Sequence, residues 1–518
     1  MTDIVLIKAN NQKRLYQDLS NDLSGIEPPL WLALTAAYLR DKGHRVAVLD
    51  AEAENLTSEE TAARIQALKP MLAGVIVSGT NPSASTTNMT GAGILLAHLS
   101  RQAPSIPTAI VGLHPSALPQ RTVEEEQADF VIEGEGFITF HGLLQALKQG
   151  RRPDEDEFEV AGLWYRRGGQ VISHPRPANI ADLDSLPMAA WDLLPMDQYR
   201  AHNWHCFDDI DRRTPYAVIY TSLGCPFQCS FCCINAIFGG RGIRYRSMAK
   251  VAEEIDYLAK TYHVRNIKVL DEIFVLKPER VYEFCERVSA LKHDLNFWVY
   301  GRVDTVKPEM LSKMKQAGIN WIAYGFEAGS KKVRDGVSKG RFDQERIYDI
   351  VRHTHAAGIE IVANFIFGLP QDDGTTMQAT LDMAKELNCA YANFYCAMAY
   401  PGSQLYKDAV AQGVALPEKW SGYAQFSEDT FPLPTEYLAP GEVLKFRDRA
   451  FDEYFTNPEY LRRIEQRFGT RTVEHIRRMC GVTLRRKYYD FDDGKRLHSM
   501  VNENSHKVTS SHGPKRKS

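Results

Sequence analysis

A chain of 518 residues, 44% hydrophobic and 25% charged, has the make-up of a globular protein and room for two or three domains, each with its own core. A formal charge of -3 gives no global attraction to a polyanion, and no basic patch precedes the final Lys515-Arg516-Lys517, so nucleic acid is not expected as a partner. No apolar run nears the ~20 residues of a membrane helix, the amino terminus lacks a secretory pattern, and the odd set of nine cysteines suits a reducing cytoplasm.

Residues 3–7 read as a buried strand and residues 28–39 as a helix, opened by Pro28-Pro29 and stopped by Asp41-Lys42-Gly43. Strands at 45–50, 73–79, 108–112 and 130–132 then alternate with helices at 59–68, 94–101 and up to 147, which predicts a doubly wound parallel sheet over residues 1–150. Ligands of such sheets bind beyond the carboxyl ends of the strands. Those ends carry Ser78-Gly79-Thr80-Asn81-Pro82-Ser83 and Gly112-Leu113-His114-Pro115. Glycines there let a flat cofactor approach the backbone, and hydroxyls can bond its polar tail. No G-x-G-x-x-G follows the first strand, which argues against a dinucleotide. Residues 151–210 read as a linker with the acidic run Asp154-Glu155-Asp156-Glu157, a solvated face.

Directly after the apolar run Ala217-Val218-Ile219-Tyr220 stand Cys225, Cys229 and Cys232, a C-x3-C-x2-C spacing. Clustered thiolates in a reduced protein favour zinc or an iron-sulfur cluster over a disulfide. A closed zinc site wants four ligands and usually two knuckles, and no second knuckle lies nearby. Three thiolates on a 4Fe-4S cluster leave one iron open. Cys233 reads as packing or access control rather than as a fourth ligand, since neighbours in sequence rarely aim at one cluster.

Strands follow at 266–270, 298–303, 321–326, 360–367 and 391–397, with amphipathic helices such as 249–262 and 278–291 between them. With the strand before Cys225 they make six, and polar strings fall at their carboxyl ends, where barrels gather their chemistry. The strings are Asp271-Glu272, Tyr300-Gly301-Arg302, Gly325-Phe326-Glu327-Ala328-Gly329-Ser330, Phe367-Gly368-Leu369-Pro370 and Tyr400-Pro401-Gly402-Ser403. Residues 411–490 read as a helical cap with an aromatic-rich loop (Trp420, Tyr423, Phe426, Phe431), either plain core packing or a closure over substrate. Residues 491–518 read as a disordered tail.

The cysteine motif and the ordered strings after it resemble the radical S-adenosylmethionine (SAM) superfamily. The first 150 residues look like the cobalamin-binding domain of one radical SAM class, to which Gly112-Leu113-His114-Pro115 and Glu133-Gly134-Glu135-Gly136 are similar. The resemblance implies an α/β chain: an N-terminal Rossmann-like cobalamin-binding domain, a partial (β/α)6 TIM-type barrel over 211–410 and a C-terminal helical region. It implies a 4Fe-4S cluster on Cys225, Cys229 and Cys232, with SAM held by Glu272, Arg302, Glu327, Ser330 and Gly368. Competing readings are a helix-end carboxylate for Glu272 and an ion pair with Asp304 or Glu327 for Arg302. Cobalamin is assigned to Ser78, Gly79, Thr80, Gly112, His114, Glu133 and Gly134, although the cobalt-ligating D-x-H-x-x-G is absent and Asp50-Ala51-Glu52-Ala53-Glu54-Asn55 is the nearest string. A vestigial domain without cofactor is the alternative, and His114 reads equally as a turn residue.

The implied reaction is reductive cleavage of SAM to a 5′-deoxyadenosyl radical, followed by C-methylation of an unactivated carbon in a small molecule, with flavodoxin or ferredoxin as electron donor. The alternatives are cyclisation, rearrangement or dehydrogenation without methyl transfer, or a non-catalytic cobalamin or iron-sulfur sensor.

Overall fold

The structure is a computed structural model that describes residues 2–78, 81, 85–153, 155–340 and 342–489. Two sheets organise it. In the first, β1 (Ile4–Lys8), β2 (Val46–Asp50), β3 (Leu72–Val77), β4 (Thr108–Gly112) and β5 (Phe130–Ile132) run parallel in the order β2-β1-β3-β4-β5. The expected doubly wound sheet is present. Two further strands from the stretch read as linker, β6 (Leu163–Arg167) and β7 (Gln170–Ser173), extend it antiparallel beyond β5. β6 alternates buried with more exposed residues, and β7, at the edge, has no buried residue, which suits an edge with one solvated face.

The strand order reverses at β1, which pairs with both β2 and β3, so a crevice opens outside their carboxyl ends. One wall is the loop after β1, and the other is the helix Ser85–Gln102, which starts nine residues earlier than its periodicity suggested. Gly91 in that helix is needed for close packing, because a Cβ there would lie 2.8 Å from Asn11 Cβ.

The second sheet comprises β8 (Tyr216–Ile219), β11 (Asn266–Val269), β12 (Asn296–Gly301), β13 (Ile319–Glu327), β14 (Glu360–Phe367) and β15 (Tyr391–Cys396), while β9 (Ser222–Leu223) and β10 (Arg244–Tyr245) form a separate antiparallel pair after β8. Six of these run parallel in the order β15-β14-β13-β12-β11-β8, the open six-stranded barrel expected. Helices between the strands are capped by side chains: Ser247 accepts from Lys250 N, and Asp373 forms a reciprocal box with Thr376.

The helix Leu30–Asp41 joins the two sheets. Leu30, Trp31, Leu32, Ala33, Ala36, Ala37 and Leu39 are all buried, a helix apolar on nearly every side because it is covered on nearly every side. Trp31 meets Tyr220 edge-on at 6.2 Å and donates its Nε1 hydrogen to Glu135 O at 3.1 Å. Three helices, Pro440–Phe455, Pro458–Phe468 and Thr470–Cys480, close the described chain. The expected tail falls on residues outside the described set. No helix among the described residues is long and apolar enough to cross a membrane.

Candidate active site

The loop that carries the cysteines leaves β8 through a turn only glycine fits. Gly224 has φ +96°, and a Cβ on it would stand 2.5 Å from Gly242 O. The β9–β10 pair then draws the far end of the loop back, with Gly242 N donating to Cys225 O at 3.3 Å. Cys232 N turns back to Cys229 O at 3.1 Å, Ser230 N reaches Val337 O at 3.0 Å, and Leu405 N reaches Ser230 O at 2.9 Å. Thus the three thiols sit on one loop whose backbone is tied to the ends of two later elements.

Asp271 fastens the start of that loop. Its buried carboxylate accepts from Thr221 N at 2.6 Å, Thr221 Oγ1 at 2.5 Å and Ser222 Oγ at 2.6 Å. Glu272, beside it, is different: its buried Oε2 has no partner, and burial, reinforced by the charge of Asp271, pushes its carboxyl up to about 8. An unmatched acceptor next to the cysteine loop suits a bound cation or amino group. Burial also pushes the Cys225 and Cys232 thiols up, to about 11 and about 12. Ligation replaces those protons with iron, which is how soft metals overcome buried thiols.

Arg302 stacks over Phe227 at 3.8 Å and approaches Cys229 Sγ at 3.5 Å. Its other nitrogens clasp Asp304 at 3.0 and 2.8 Å and reach Lys339 O. Lys339 in turn pairs with Glu327 at 2.6 Å, both buried. Asp304, Arg302, Lys339 and Glu327 therefore form a line beside Cys229 in which two carboxylates flank two cations. Glu327 holds φ +64° at a register shift in β13, and the carboxylate folds back over Gly325, where a Cβ would sit 2.3 Å from its Oε1. Backbone outliers of this kind cluster at functional sites. Lys339 escaped the sequence reading; only its place beside Gly340 marks it as a loop residue.

Other expected site residues have structural partners. Ser330 caps the helix Lys331–Gly336. Gly368, at φ +77°, faces Val443 of the C-terminal helices, where a Cβ would lie 2.4 Å from Val443 Cγ1. Gly402 packs the loop after β15 against the cysteine loop and the first domain together: a Cβ there would meet Ala236 Cβ at 2.8 Å and Ala117 Cβ at 3.1 Å. Cys233 is buried in the core, with its Cβ 3.6 Å from that same position.

In the first domain, Gly112 is glycine because a Cβ would fall 2.0 Å from Val77 O, and His114 is buried, bonded through Nδ1 to Thr86 Oγ1 at 3.0 Å. Burial pushes His114 down to about 3, so it is neutral. Glu133 accepts from Trp164 Nε1 at 2.9 Å, and Gly134 N donates to Ser116 Oγ at 2.9 Å. Glu135 clamps the two domains, pairing with Arg244 at 2.6 Å and accepting from Ile180 N at 2.9 Å. Ser78 O accepts from Asn88, while Gly79 and Thr80 lie outside the described residues. Asn11 was not anticipated. It lines the crevice, donates to Thr87 O at 2.9 Å and leaves its buried Oδ1 without a partner, as does Thr90 Oγ1 nearby. Unmet acceptors there fit the amide-bearing rim of a corrin.

The aromatic loop closes onto the first domain. Trp420 lies edge-on to His114 at 4.4 Å, under Arg121 at 4.5 Å, and donates to Glu126 at 3.1 Å. Gln425 pins it to β15, accepting from Cys396 N at 2.8 Å and donating to Cys396 O at 3.0 Å. A separate cavity of about 600 Å³, lined by Arg200, Arg213, Thr214 and His475, opens at the opposite end of the barrel, away from this chemistry.

Fold and site together define a barrel enzyme whose three-cysteine loop works beside a second α/β domain with its own strand-end crevice. Residues 219–384 match the Radical SAM superfamily and residues 17–144 the B12 binding domain. The chain is a radical SAM enzyme carrying a B12-binding domain. It is 29% identical over 435 residues to a Pyrococcus horikoshii protein named as an uncharacterized methyltransferase, covering 84% of this chain and 89% of that one. It is 28% identical over 458 residues to the anaerobic magnesium-protoporphyrin IX monomethyl ester cyclase of Rubrivivax gelatinosus, covering 86% and 77%. Among solved structures, the radical S-adenosylmethionine methyltransferase TsrM from Kitasatospora setae, with cobalamin and a 4Fe-4S cluster bound, has the same fold: TM-score 0.65 at 18% identity, covering 89% of this chain and 90% of that one.

Proposed function

We propose that the protein reductively cleaves SAM and methylates an unactivated carbon of a small molecule, with cobalamin as methyl carrier. The observation that carries this reading is the placement of the cysteine loop, the unpartnered Oε2 of Glu272 and the Glu327–Lys339 pair at the same barrel end, joined through Trp31 and Glu135 to the crevice-bearing domain. When bound, the cluster and SAM supply one-electron cleavage of a sulfonium, and cobalamin supplies a methyl group. Cys225, Cys229 and Cys232 hold the cluster. Glu272 accepts from the methionine amino group. Arg302 directs its guanidinium at the methionine carboxylate, exchanging Asp304 for it, since a bidentate carboxylate bond is what that fork makes. Glu327 accepts from ribose hydroxyls, with Lys339 beside it as its counter-ion.

The name of the Pyrococcus relative supports methyl transfer, while that of the Rubrivivax relative supports ring closure without it. The two are separated by anaerobic turnover with SAM deuterated in its methyl group. Label in the product, with 5′-deoxyadenosine that requires all three cysteines, establishes methylation; unlabelled product with 5′-deoxyadenosine establishes the second. In this reading the enzyme works in the cytoplasm and takes its electron from a flavodoxin or ferredoxin, and its partners do not include nucleic acid.

A further inference from the structure

The cavity of about 600 Å³ at the far end of the barrel is bordered by Arg213 and Thr214, just before β8 begins, and by the helix Thr470–Cys480. Arg471, Glu474, His475 and Arg478 recur on that helix at spacings that bring them to one face, and all four line the space. Arg200, Arg213 and Asp22 line it from the linker and from the loop before the joining helix. Four arginines thus face three carboxylates, Asp22, Asp211 and the exposed Glu474.

Two of the four have only backbone for company. Buried Arg213 donates to Ala201 O at 2.8 Å, Asp22 O at 2.7 Å and Ser24 O at 2.8 Å. Arg200 donates to Ser24 O at 3.1 Å, Asn21 O at 3.3 Å and Ser20 O at 3.4 Å. Carbonyls satisfy donors but do not cancel charge, and neither guanidinium forms an ion pair among the described residues. The carboxylates are drawn to the other wall, Asp211 to Arg471 and Asp22 to Arg478 at 3.6 Å.

His475, 5% exposed, shows independently that an acceptor is missing. Trp204 N donates to Asn203 Oδ1 at 2.8 Å, which turns the Asn203 amide nitrogen toward His475 Nε2, also at 2.8 Å. That nitrogen can only donate, so Nε2 accepts and the proton of the neutral ring sits on Nδ1. Yet Nδ1 faces Arg478 Nη2 at 3.1 Å, a second donor. The other tautomer only moves the conflict to Asn203. An oxyanion between His475 and Arg478 would accept from both.

We propose that this cavity binds a phosphate-type oxyanion, held between Arg200 and Arg213 on one wall and His475 and Arg478 on the other. Donors on two walls need acceptors that point both ways, which a phosphate or diphosphate supplies and a single carboxylate does not. The site lies at the opposite barrel end from the cysteine loop and does not depend on the radical reading. Its ligand would tie the linker, the loop at Asp22 and the C-terminal helix together.

The full chain, loaded with cluster and cobalamin and saturated with SAM, would be titrated calorimetrically with sodium pyrophosphate at constant ionic strength, and separately with glutarate. Saturable pyrophosphate binding is expected, weakened at least about tenfold in Arg478→Glu and in Arg213→Gln. Arg478 is exposed at the rim, so that variant keeps the fold even if Arg213→Gln does not. Arg477→Glu makes the same charge change on the same helix outside the cavity lining and should bind within about twofold of the natural chain. The proposal is overturned by pyrophosphate that fails to saturate at millimolar concentration, by unchanged affinity in Arg478→Glu, by an equal loss in Arg477→Glu, or by tighter binding of glutarate.

Discussion

Glu27 and Lys268, 241 residues apart, meet at 2.7 Å with both side chains nearly excluded from solvent. Glu27 lies in the loop before the helix that joins the two sheets; Lys268 lies in β11 of the barrel. The same carboxylate receives His202 at 3.2 Å and Tyr216 OH at 3.4 Å, and Lys8 donates to Glu27 O at 3.0 Å. A residue of the first domain therefore neutralises the one lysine that β11 turns into the barrel, where its Nζ stands 4.6 Å from the Trp298 ring centre.

Removing either member strands a buried charge. Glu27→Ala should cost about 3–5 kcal/mol, read as a lowered midpoint in denaturant. Lys268→Met should cost less when combined with Glu27→Leu than either change does alone, because the pair is then replaced rather than broken.

The pair has a pH signature. Burial alone would raise the Glu27 carboxyl, but the charges of Lys268 and His202 outweigh it and hold the group down to about 2, below the ordinary 4.5. A depressed folded value means stability present above about pH 4.5 and lost as pH falls toward 2. The advantage of the natural chain over Glu27→Gln in unfolding free energy should be full at pH 6 and shrink through that window.

Cys225→Ala, Cys229→Ala and Cys232→Ala should each abolish 5′-deoxyadenosine formation and deplete bound iron and sulfide. Cys233→Ser, at a buried side chain read as packing, should retain both within about twofold and cost roughly 1–3 kcal/mol of stability. Iron and sulfide analysis of anaerobically reconstituted protein checks each variant.

Glu327→Gln keeps the shape of the side chain and removes its charge. It should raise the SAM concentration for half-maximal cleavage about tenfold, the effect of one charge-assisted hydrogen bond. Lys339→Met should act in the same direction by leaving Glu327 buried without its cation. Isothermal titration with SAM against the loaded enzyme checks both.

Gly402→Val should loosen the cysteine loop from outside it. The position has φ +91° and no room for a Cβ against Ala236 and Ala117. The strain and overpacking should cost about 2–4 kcal/mol, and bleaching of the cluster absorbance in air should quicken.

The sequence by itself determined both parallel sheets and the order of the strand-end strings, with the three cysteines on one loop. These follow from local signals: spacing within one loop, apolar runs of strand length and the glycines of tight turns. Which glycine serves what was decided only by tertiary structure. Gly112, Gly368 and Gly402 stand where backbone or side chains from distant segments press in, at Val77, Val443 and Ala117. Likewise the Glu133 to Gly136 string, read from resemblance as cofactor-binding, holds Trp164 and Arg244. Lys339 with Glu327 and Glu27 with Lys268 had no legible signal, because charge matching depends on distance in space, and residues far apart in the chain carry no mark of being neighbours.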